Sequence, residues 1–194
     1  MAHWAYWLTV ICWATFCLVW AIGWIYNLLK APATQKRSTF LPAWIICVIV
    51  GILIMQFIPR DFWTLLTLVA PWLQIAGAAC LIIFTTFTIW ARWSLGTMWS
   101  SSPEIKIDHQ LRIDGPYRIT RHPIYTGILG MLLGTLLISG AGVWILYFTI
   151  MVVALAIKIS SEERLLKETF GEQYDQYRHK VPQLIPGLQL LTRR

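Results

Sequence analysis

Charged residues are scarce in this sequence, and four long segments contain none at all. Only 13% of the 194 residues are Asp, Glu, Lys or Arg, against roughly 25% in an average soluble domain. The segments without charge are 1–29, 38–59, 62–91 and 123–157. Uncharged apolar segments of about 18 residues or more are typical of membrane spans. The composition therefore argues against a soluble, disordered or disulfide-rich secreted chain and predicts one integral membrane domain over residues 1–194.

The sequence also lacks cysteine pairs and the spacings of a metal site. Its four cysteines lie within uncharged segments and form no CxxC pair, so they are interpreted as packing residues and no metal is predicted. The N-terminal apolar segment has no preceding basic residues, which favours a retained span over a cleaved signal peptide. The net charge of +7 comes from residues that flank apolar segments, so no nucleic-acid partner is predicted.

The uncharged segments predict an all-α integral membrane protein with five transmembrane helices. At 1.5 Å per residue, the last segment would form a helix of about 52 Å, too long for one crossing of a core about 30 Å thick. Its middle reads Ser-Gly-Ala-Gly at 139–142, which predicts a tight turn between two spans. The five predicted spans cover about residues 4–28, 41–58, 66–90, 123–139 and 142–160.

The distribution of basic residues predicts the orientation of these spans. With five spans, Arg60 is alone on one side, and the other fifteen Lys and Arg residues share the opposite side. Because basic loops stay in the cytoplasm, the N-terminus is predicted outside and the C-terminus inside, in what we expect to be the cell membrane. Segments 92–122 and 158–194 are then the cytoplasmic catalytic segments, and the second is predicted to form a C-terminal helical cap over a pocket.

The predicted hairpin brings the start of span four beside the end of span five. Pro123 is suited to the first turn of a helix, so span four is predicted to begin near His122. Its unpaired N–H groups, beside Arg121, predict an anion site. The glycines at 127, 130 and 134 would let either another helix or a ligand approach closely.

Two adjacent carboxylates, Glu162 and Glu163, lie where span five leaves the membrane. They suit an ammonium group, so together with the anion site they predict a pocket for a zwitterion. Taken singly, Arg121 and Lys158 also fit topology anchors, and the carboxylate pair also fits a solvated helix end.

The order of these motifs resembles a known family. The sequence GPYRITRHPIYTG at 115–127, followed by EERLLKETFGEQYDQYRHKVPQLIP at 162–186, resembles the isoprenylcysteine carboxyl methyltransferases and the related membrane phospholipid methyltransferases. The resemblance covers about residues 90–190 and suggests a compact five-span member. It implies methyl transfer from S-adenosylmethionine, with S-adenosylhomocysteine as the product.

The resemblance also implies a set of site residues. The residues expected to bind the cofactor are His109, Gln110, Leu111, Arg112, Tyr117, His122, Pro123, Ile124, Tyr125, Glu162 and Glu163. The catalytic candidates are Lys158 and Arg121. Lys158 stands where an arginine is expected to orient the acceptor carboxylate, and lysine lacks the planar fork of arginine.

The identity of the methyl acceptor stays open at this point. A lipophilic acceptor such as a prenylated cysteine is expected to enter from the membrane lipids, and a phospholipid amine or another lipid is the alternative. An NADPH-dependent sterol-type reductase is disfavoured because the two glutamates would repel phosphates. A non-enzymatic scaffold is disfavoured by the intact His122, Tyr125 and Glu162. The oligomeric state and the division of roles between the two glutamates are left open.

Overall fold

The computed structural model describes residues 2–37, 43–100, 104–107 and 110–185. Within these ranges the fold is almost entirely helical, as predicted, with seven α-helices and one two-stranded ribbon. The helices are α1 (His3–Lys30), α2 (Ala43–Phe57), α3 (Arg60–Leu65), α4 (Pro71–Leu95), α5 (Pro123–Ser139), α6 (Trp144–Phe170) and α7 (Glu172–Lys180). Short 3₁₀ turns cover Gly96–Met98 and Gly115–Arg118.

Three of the described helices, α1, α4 and α6, are long and apolar enough to cross a membrane. Helix α5 is apolar but has 17 residues, and α2 has 15. The third predicted span, 66–90, differs from the helix that the structure contains. The separate helix α3 precedes α4, and α4 begins at Pro71, because proline has no N–H to donate and is favoured in the first turn.

The small ribbon is not anticipated by the prediction of an all-α fold. Strand β1 (Thr34–Arg37) pairs antiparallel with β2 (Glu104–Lys106), with Thr34 opposite Lys106. Both strands are short and polar, and neither shows the apolar alternation that identifies a strand in sequence. Their pairing joins the end of α1 to the segment after α4.

The turn predicted at 139–142 connects α5 to α6. Gly140 has φ +79° and ends α5, and the N–H of Ala141 donates to the carbonyl of Leu136 over 2.8 Å. The turn also packs on the loop before α4, since the N–H of Leu68 donates to the carbonyl of Gly140 over 2.8 Å. The helices α5 and α6 are thus an antiparallel hairpin whose turn is far from the chain segments at 120 and 160.

The space beside the glycines of α5 is occupied by α4. A Cβ on Gly134 would lie 2.7 Å from the backbone nitrogen of Leu81 and 2.8 Å from the carbonyl oxygen of Gly77. Cβ atoms on Gly127 and Gly130 would collide with Thr88 and Phe84 of α4. Of the two alternatives for these glycines, the structure shows helix packing, as small residues commonly permit between membrane helices.

The polar end of the hairpin is covered by the C-terminal part of the chain. Helix α6 continues to Phe170, beyond the predicted end of span five at about residue 160, and Gly171 at φ +49° separates it from α7. Tyr174 and Tyr177 of α7 are buried with Val181 against Leu166 and other apolar side chains. This packing holds α7 against the end of α6.

Candidate active site

The start of α5 meets the polar part of α6, as the hairpin predicts. His122 precedes α5, and its Nδ1 lies 3.5 Å from Oε2 of Glu162. Its Nε2 lies 3.3 Å from Oε1 of Glu163. The two ring nitrogens therefore face two different carboxylates, an arrangement that favours the doubly protonated imidazolium.

The pKa values of His122 and Glu163 reflect this contact. Burial alone would lower the pKa of His122, but the hydrogen bonds and charges of Glu162 and Glu163 outweigh it, so the pKa is raised. Burial raises the pKa of the Glu163 carboxyl, while the hydrogen bond from His122 and the charge of Arg121 act more strongly and lower it to about 2. The charged forms of both groups stabilise each other.

The guanidinium of Arg121 is engaged in contacts within the protein. Its Nη2 lies 2.7 Å from Oε1 of Glu163, and its Nη1 donates to the carbonyls of Arg178 and Val181 over 3.1 and 2.8 Å. Only 8% of its side chain is exposed. Arg121 therefore ties the start of α5 to both α6 and the segment after α7.

The backbone N–H groups just before α5 also have protein partners. The N–H of Arg121 donates to the carbonyl of Pro182 over 2.8 Å, and that of His122 to the carbonyl of Gln183 over 3.2 Å. The hydroxyl of Thr120 donates to the same Gln183 carbonyl over 2.7 Å. Two N–H groups that precede the predicted anion site are thus occupied by the chain itself.

Glu162 has a different set of neighbours from Glu163. The hydroxyl of Tyr125 donates a hydrogen bond to Oε1 of Glu162. The ring of Tyr125 stacks on that of His122 at 5.6 Å between centroids, and Nζ of Lys158 lies 5.3 Å from the Tyr125 ring centroid. One carboxylate and one ammonium group thus flank the same aromatic ring.

A pocket of about 220 Å³ opens beside these residues. Ten of the residues predicted from the sequence line this pocket: Leu111, Arg112, Tyr117, Arg121, His122, Pro123, Ile124, Tyr125, Lys158 and Glu162. Gln110 is exposed and, like Glu163, is absent from the lining, and His109 lies outside the described residues. The two glutamates therefore have different positions. Glu162 lines the pocket, whereas Glu163 lies outside the lining and contacts Arg121 and His122, which are part of it.

The pocket wall also contains residues that the sequence did not single out. They include Trp20 of α1 and the stretch around the end of α4, with Leu95, Met98 and Trp99. The rings of Trp20 and Trp99 meet edge to face at 6.3 Å. No local motif marks these residues, since they come together only when α1 packs beside the end of α4.

Two tyrosines of α7 complete the pocket. The hydroxyl of Tyr177 donates to the carbonyl of Tyr117 over 2.6 Å. Tyr174 is 1% exposed, and within the described part of the chain its hydroxyl makes no hydrogen bond of standard geometry. Burial and then the nearby Glu163 carboxylate raise the pKa of this hydroxyl. A buried hydroxyl without a well-formed hydrogen bond is costly, so this side of the pocket is suited to a polar ligand.

Comparison with known proteins gives a consistent set of relatives. A sequence model described as phospholipid methyltransferase matches residues 72–173, which is more than half of the chain. The chain is 41% identical over 80 residues to the protein-S-isoprenylcysteine O-methyltransferase of Schizosaccharomyces pombe, a match that covers 41% of this chain and 34% of that protein. It is 37% identical over 79 residues to the protein-S-isoprenylcysteine O-methyltransferase B of Arabidopsis thaliana, which covers 40% of each.

A solved structure shares the fold. The eukaryotic intramembrane Ras methyltransferase, an isoprenylcysteine carboxyl methyltransferase, superposes with a TM-score of 0.54 at 23% identity. The superposition covers 78% of this chain and 55% of that one. The matched segments span 34 to 40% of the two curated relatives. The resemblance drawn from the sequence motifs is confirmed.

Proposed function

The chain belongs to the phospholipid methyltransferase family, and we propose that it transfers a methyl group from S-adenosylmethionine to a lipophilic acceptor. The preferred acceptor is the C-terminal carboxylate of a prenylated cysteine, as the names of the relatives suggest. The observation that carries the proposal is the pocket in which Glu162, Tyr125 and Lys158 meet.

The pocket has the chemistry that S-adenosylmethionine requires. Glu162 offers a carboxylate to the ammonium group, and Tyr174 offers a buried hydroxyl that makes no hydrogen bond of standard geometry within the described residues. Leu111, Ile124 and Leu165 offer apolar surface to the adenine ring. The Tyr125 ring attracts cations, and because His122 stacks on it and Lys158 lies 5.3 Å from its centroid, a sulfonium would share this ring with those two groups.

The residues proposed to hold the cofactor follow from this fit and from the family motif. Those that line the pocket are Leu111, Arg112, Tyr117, His122, Pro123, Ile124, Tyr125 and Glu162. His109 and Gln110 join them by resemblance. Glu163 acts one step removed, because it fixes the orientation of His122 and Arg121.

Little acid–base chemistry is needed from the protein. When bound, S-adenosylmethionine supplies a methyl group that is already activated by its sulfonium. The protein has to align the acceptor with this methyl group and exclude water, and alignment alone can contribute several kcal/mol. We assign Lys158 the task of orienting the acceptor carboxylate, which its position beside the Tyr125 ring supports.

Methylation of a phospholipid amine is the second candidate. It is supported by the family description and by Lys158 standing where the carboxylate acceptor would favour the fork of an arginine.

For the membrane arrangement we propose five spanning helices, α1, α2, α4, α5 and α6, with the pocket facing the cytoplasm and the N-terminus outside, in the cell membrane. The charge distribution of the sequence supports this orientation. The helices α2 and α5 are short for a bilayer about 30 Å thick, so we expect them to cross a locally thinned region or to be extended by flanking residues. In this arrangement α7 and the segment after it are the cap over the pocket.

Methyl transfer from radiolabelled S-adenosylmethionine tests the proposal. The purified protein is incubated with either N-acetyl-S-farnesylcysteine or phosphatidylethanolamine. We expect label in the farnesylcysteine product, released as methanol by mild base because a methyl ester is base-labile. Base-stable label in the lipid alone would overturn the carboxylate assignment in favour of the second candidate. Wild-type protein that labels neither acceptor and binds no S-adenosylhomocysteine would contradict both.

A further inference from the structure

A buried guanidinium near the end of α4 is only partly satisfied by the protein. Arg92 is 5% exposed, and its Nη1 donates to the carbonyl of Gly96 over 3.0 Å. Its Nε and Nη2 have no hydrogen-bond partner among the residues that the structure describes. Within the described residues no carboxylate pairs with Arg92. A buried charge without a partner is strongly unfavourable, so this arrangement calls for an anion.

The two unsatisfied atoms form a specific binding edge. Nε–H and Nη2–H point in parallel along one side of the guanidinium plane, which is the edge that holds a carboxylate or phosphate through two hydrogen bonds. The remaining nitrogen is already engaged with Gly96. Nη1 of Arg92 is therefore fixed by Gly96, while the edge formed by Nε and Nη2 has no acceptor in the described part of the chain.

The guanidinium of Arg92 packs against Gly23 of α1 and against the ring of Trp99. A Cβ on Gly23 of α1 would lie 2.5 Å from Nη2, 2.9 Å from Cζ and 3.2 Å from Nε of Arg92, so any side chain at this position would displace the guanidinium. On the other side, Cζ lies 4.4 Å from the ring centroid of Trp99. Trp99 lies beyond the 3₁₀ turn and outside any helix, and its ring packs on the guanidinium as a cation–π contact rather than as a hydrogen-bond acceptor.

A second buried cation lies close by. Lys106 is 4% exposed, and its Nζ donates to the carbonyls of Thr97 and Trp99. Burial lowers the pKa of Lys106, and although Glu104 acts in the opposite direction, the charge of Arg92 lowers it further. Asn27 donates to the carbonyl of Trp99 over 2.9 Å, and its buried Oδ1 has no hydrogen-bond partner within the described ranges. This oxygen is neutral and cannot balance the charge.

The position of Arg92 points to the source of the anion. It lies three residues before the end of α4, a helix apolar enough to span a membrane, so it would lie near the level of the lipid phosphates. On α1, the helix that carries Gly23, Trp24 and Leu28 are 55% and 65% exposed and would offer an apolar surface to acyl chains. Basic pockets between spanning helices are known to bind lipid head groups.

We propose that Arg92, with Lys106 behind it, binds the phosphate of a membrane phospholipid between α1 and the end of α4. This site goes beyond methyl transfer and lies behind the Trp99 wall of the pocket. The phosphate accepts both hydrogen bonds of the Arg92 edge, and the acyl chains lie along α1.

The thermal stability of the delipidated protein in detergent tests this site. Phosphatidylglycerol is titrated against wild type, Arg92→Lys and Arg92→Gln, with Arg164→Lys of the exposed face of α6 as the matched control. We expect saturable stabilisation of wild type and of Arg164→Lys. Both Arg92 variants should need at least about tenfold more lipid, since loss of charge-assisted hydrogen bonds worth about 1.4 kcal/mol is a factor of ten.

Two further titrations on wild type identify the source of the anion. Diacylglycerol with the same chains lacks the phosphate and should not stabilise, and neither should inorganic phosphate at equal concentration. Equal stabilisation by diacylglycerol would overturn the phosphate site, even if the Arg92 variants failed to fold. Equal stabilisation by inorganic phosphate would overturn the lipid assignment, and equal lipid affinity in wild type and Arg92→Lys would overturn the role of Arg92.

Discussion

Arg121 Nη2 lies 2.7 Å from Glu163 Oε1, and the two side chains are 8% and 15% exposed. The pair joins the start of α5 to α6 at the wall of the pocket, where Arg121 is part of the lining and Glu163 lies behind it. It explains why two adjacent glutamates have different tasks: Glu163 is committed to Arg121 and His122, whereas Glu162 faces the pocket with Tyr125.

Removal of this pair should destabilise the fold. Breaking a buried ion pair costs about 3–5 kcal/mol, and we expect about 3 kcal/mol for Glu163→Gln because the carboxylate keeps some exposure. Lys167→Gln is the matched control, since Lys167 and Asp175 form an exposed pair at 3.4 Å of the kind that contributes at most about 1 kcal/mol. The measurement is thermal unfolding in detergent, and equal losses in the two variants would contradict the structural role of Glu163.

The contact between His122 and the glutamates should make stability depend on pH. The pKa of His122 is raised above 6.5 in the folded protein, so its contribution is complete below pH 6.5 and is lost as pH rises through the folded value. The pKa of Glu163 is lowered to about 2 from 4.5, so its contribution is complete above pH 4.5 and is lost as pH falls toward 2.

Between about pH 4.5 and 6.5 both groups contribute fully to stability. The melting temperature of wild type minus that of His122→Asn should therefore be larger at about pH 5.5 than at about pH 9. A difference that grows with pH would show that His122 is neutral in the folded protein.

Lys158 should affect turnover more than cofactor binding. We expect Lys158→Ala to lower turnover of N-acetyl-S-farnesylcysteine strongly and the affinity for S-adenosylhomocysteine only slightly. Lys158→Arg should retain or raise turnover, because its fork can hold a carboxylate through two hydrogen bonds. Initial rates and calorimetry on the same preparations check this, and full activity of Lys158→Ala would reduce Lys158 to a topology anchor.

The orientation can be checked with single cysteines. Asp61 of α3 and Gln173 of α7 are exposed and lie at opposite ends of the helices. In a background without the four native cysteines, Asp61→Cys and Gln173→Cys should react with an impermeant maleimide from opposite faces of sealed vesicles. Reaction from the same face would exclude the five-span arrangement.

The contact between His122 and the glutamates could be predicted because it depends on few quantities. The length of the uncharged segment and the turn at 139–142 fix the hairpin, and the hairpin brings residues about 40 apart into contact. The sequence could place Arg121 near Glu163 but could not show that Arg121 is used up by Glu163 and two carbonyls, since that depends on where the segment after α7 returns.

The wall formed by Trp20 and Trp99 could not be predicted. These residues are 79 positions apart in sequence, and they meet only because α1 packs beside the end of α4. Neither lies in a motif, and a tryptophan in an apolar helix commonly faces lipid. The unsatisfied edge of Arg92 could not be predicted either, because it depends on how α1 and Trp99 pack around the guanidinium. In the sequence, Arg92 is one of several basic residues at the end of a span.

Calorimetric titration of the purified protein with S-adenosylhomocysteine tests the account most directly, with Glu162→Gln as the variant and Glu172→Gln on the exposed start of α7 as the control. We predict one site per chain, with affinity reduced about 10- to 150-fold in Glu162→Gln, because a charge-assisted hydrogen bond contributes about 1.5–3 kcal/mol. The control should bind as wild type does. Absence of binding to wild type, or equal affinity in wild type and Glu162→Gln, would contradict the assignment of this pocket.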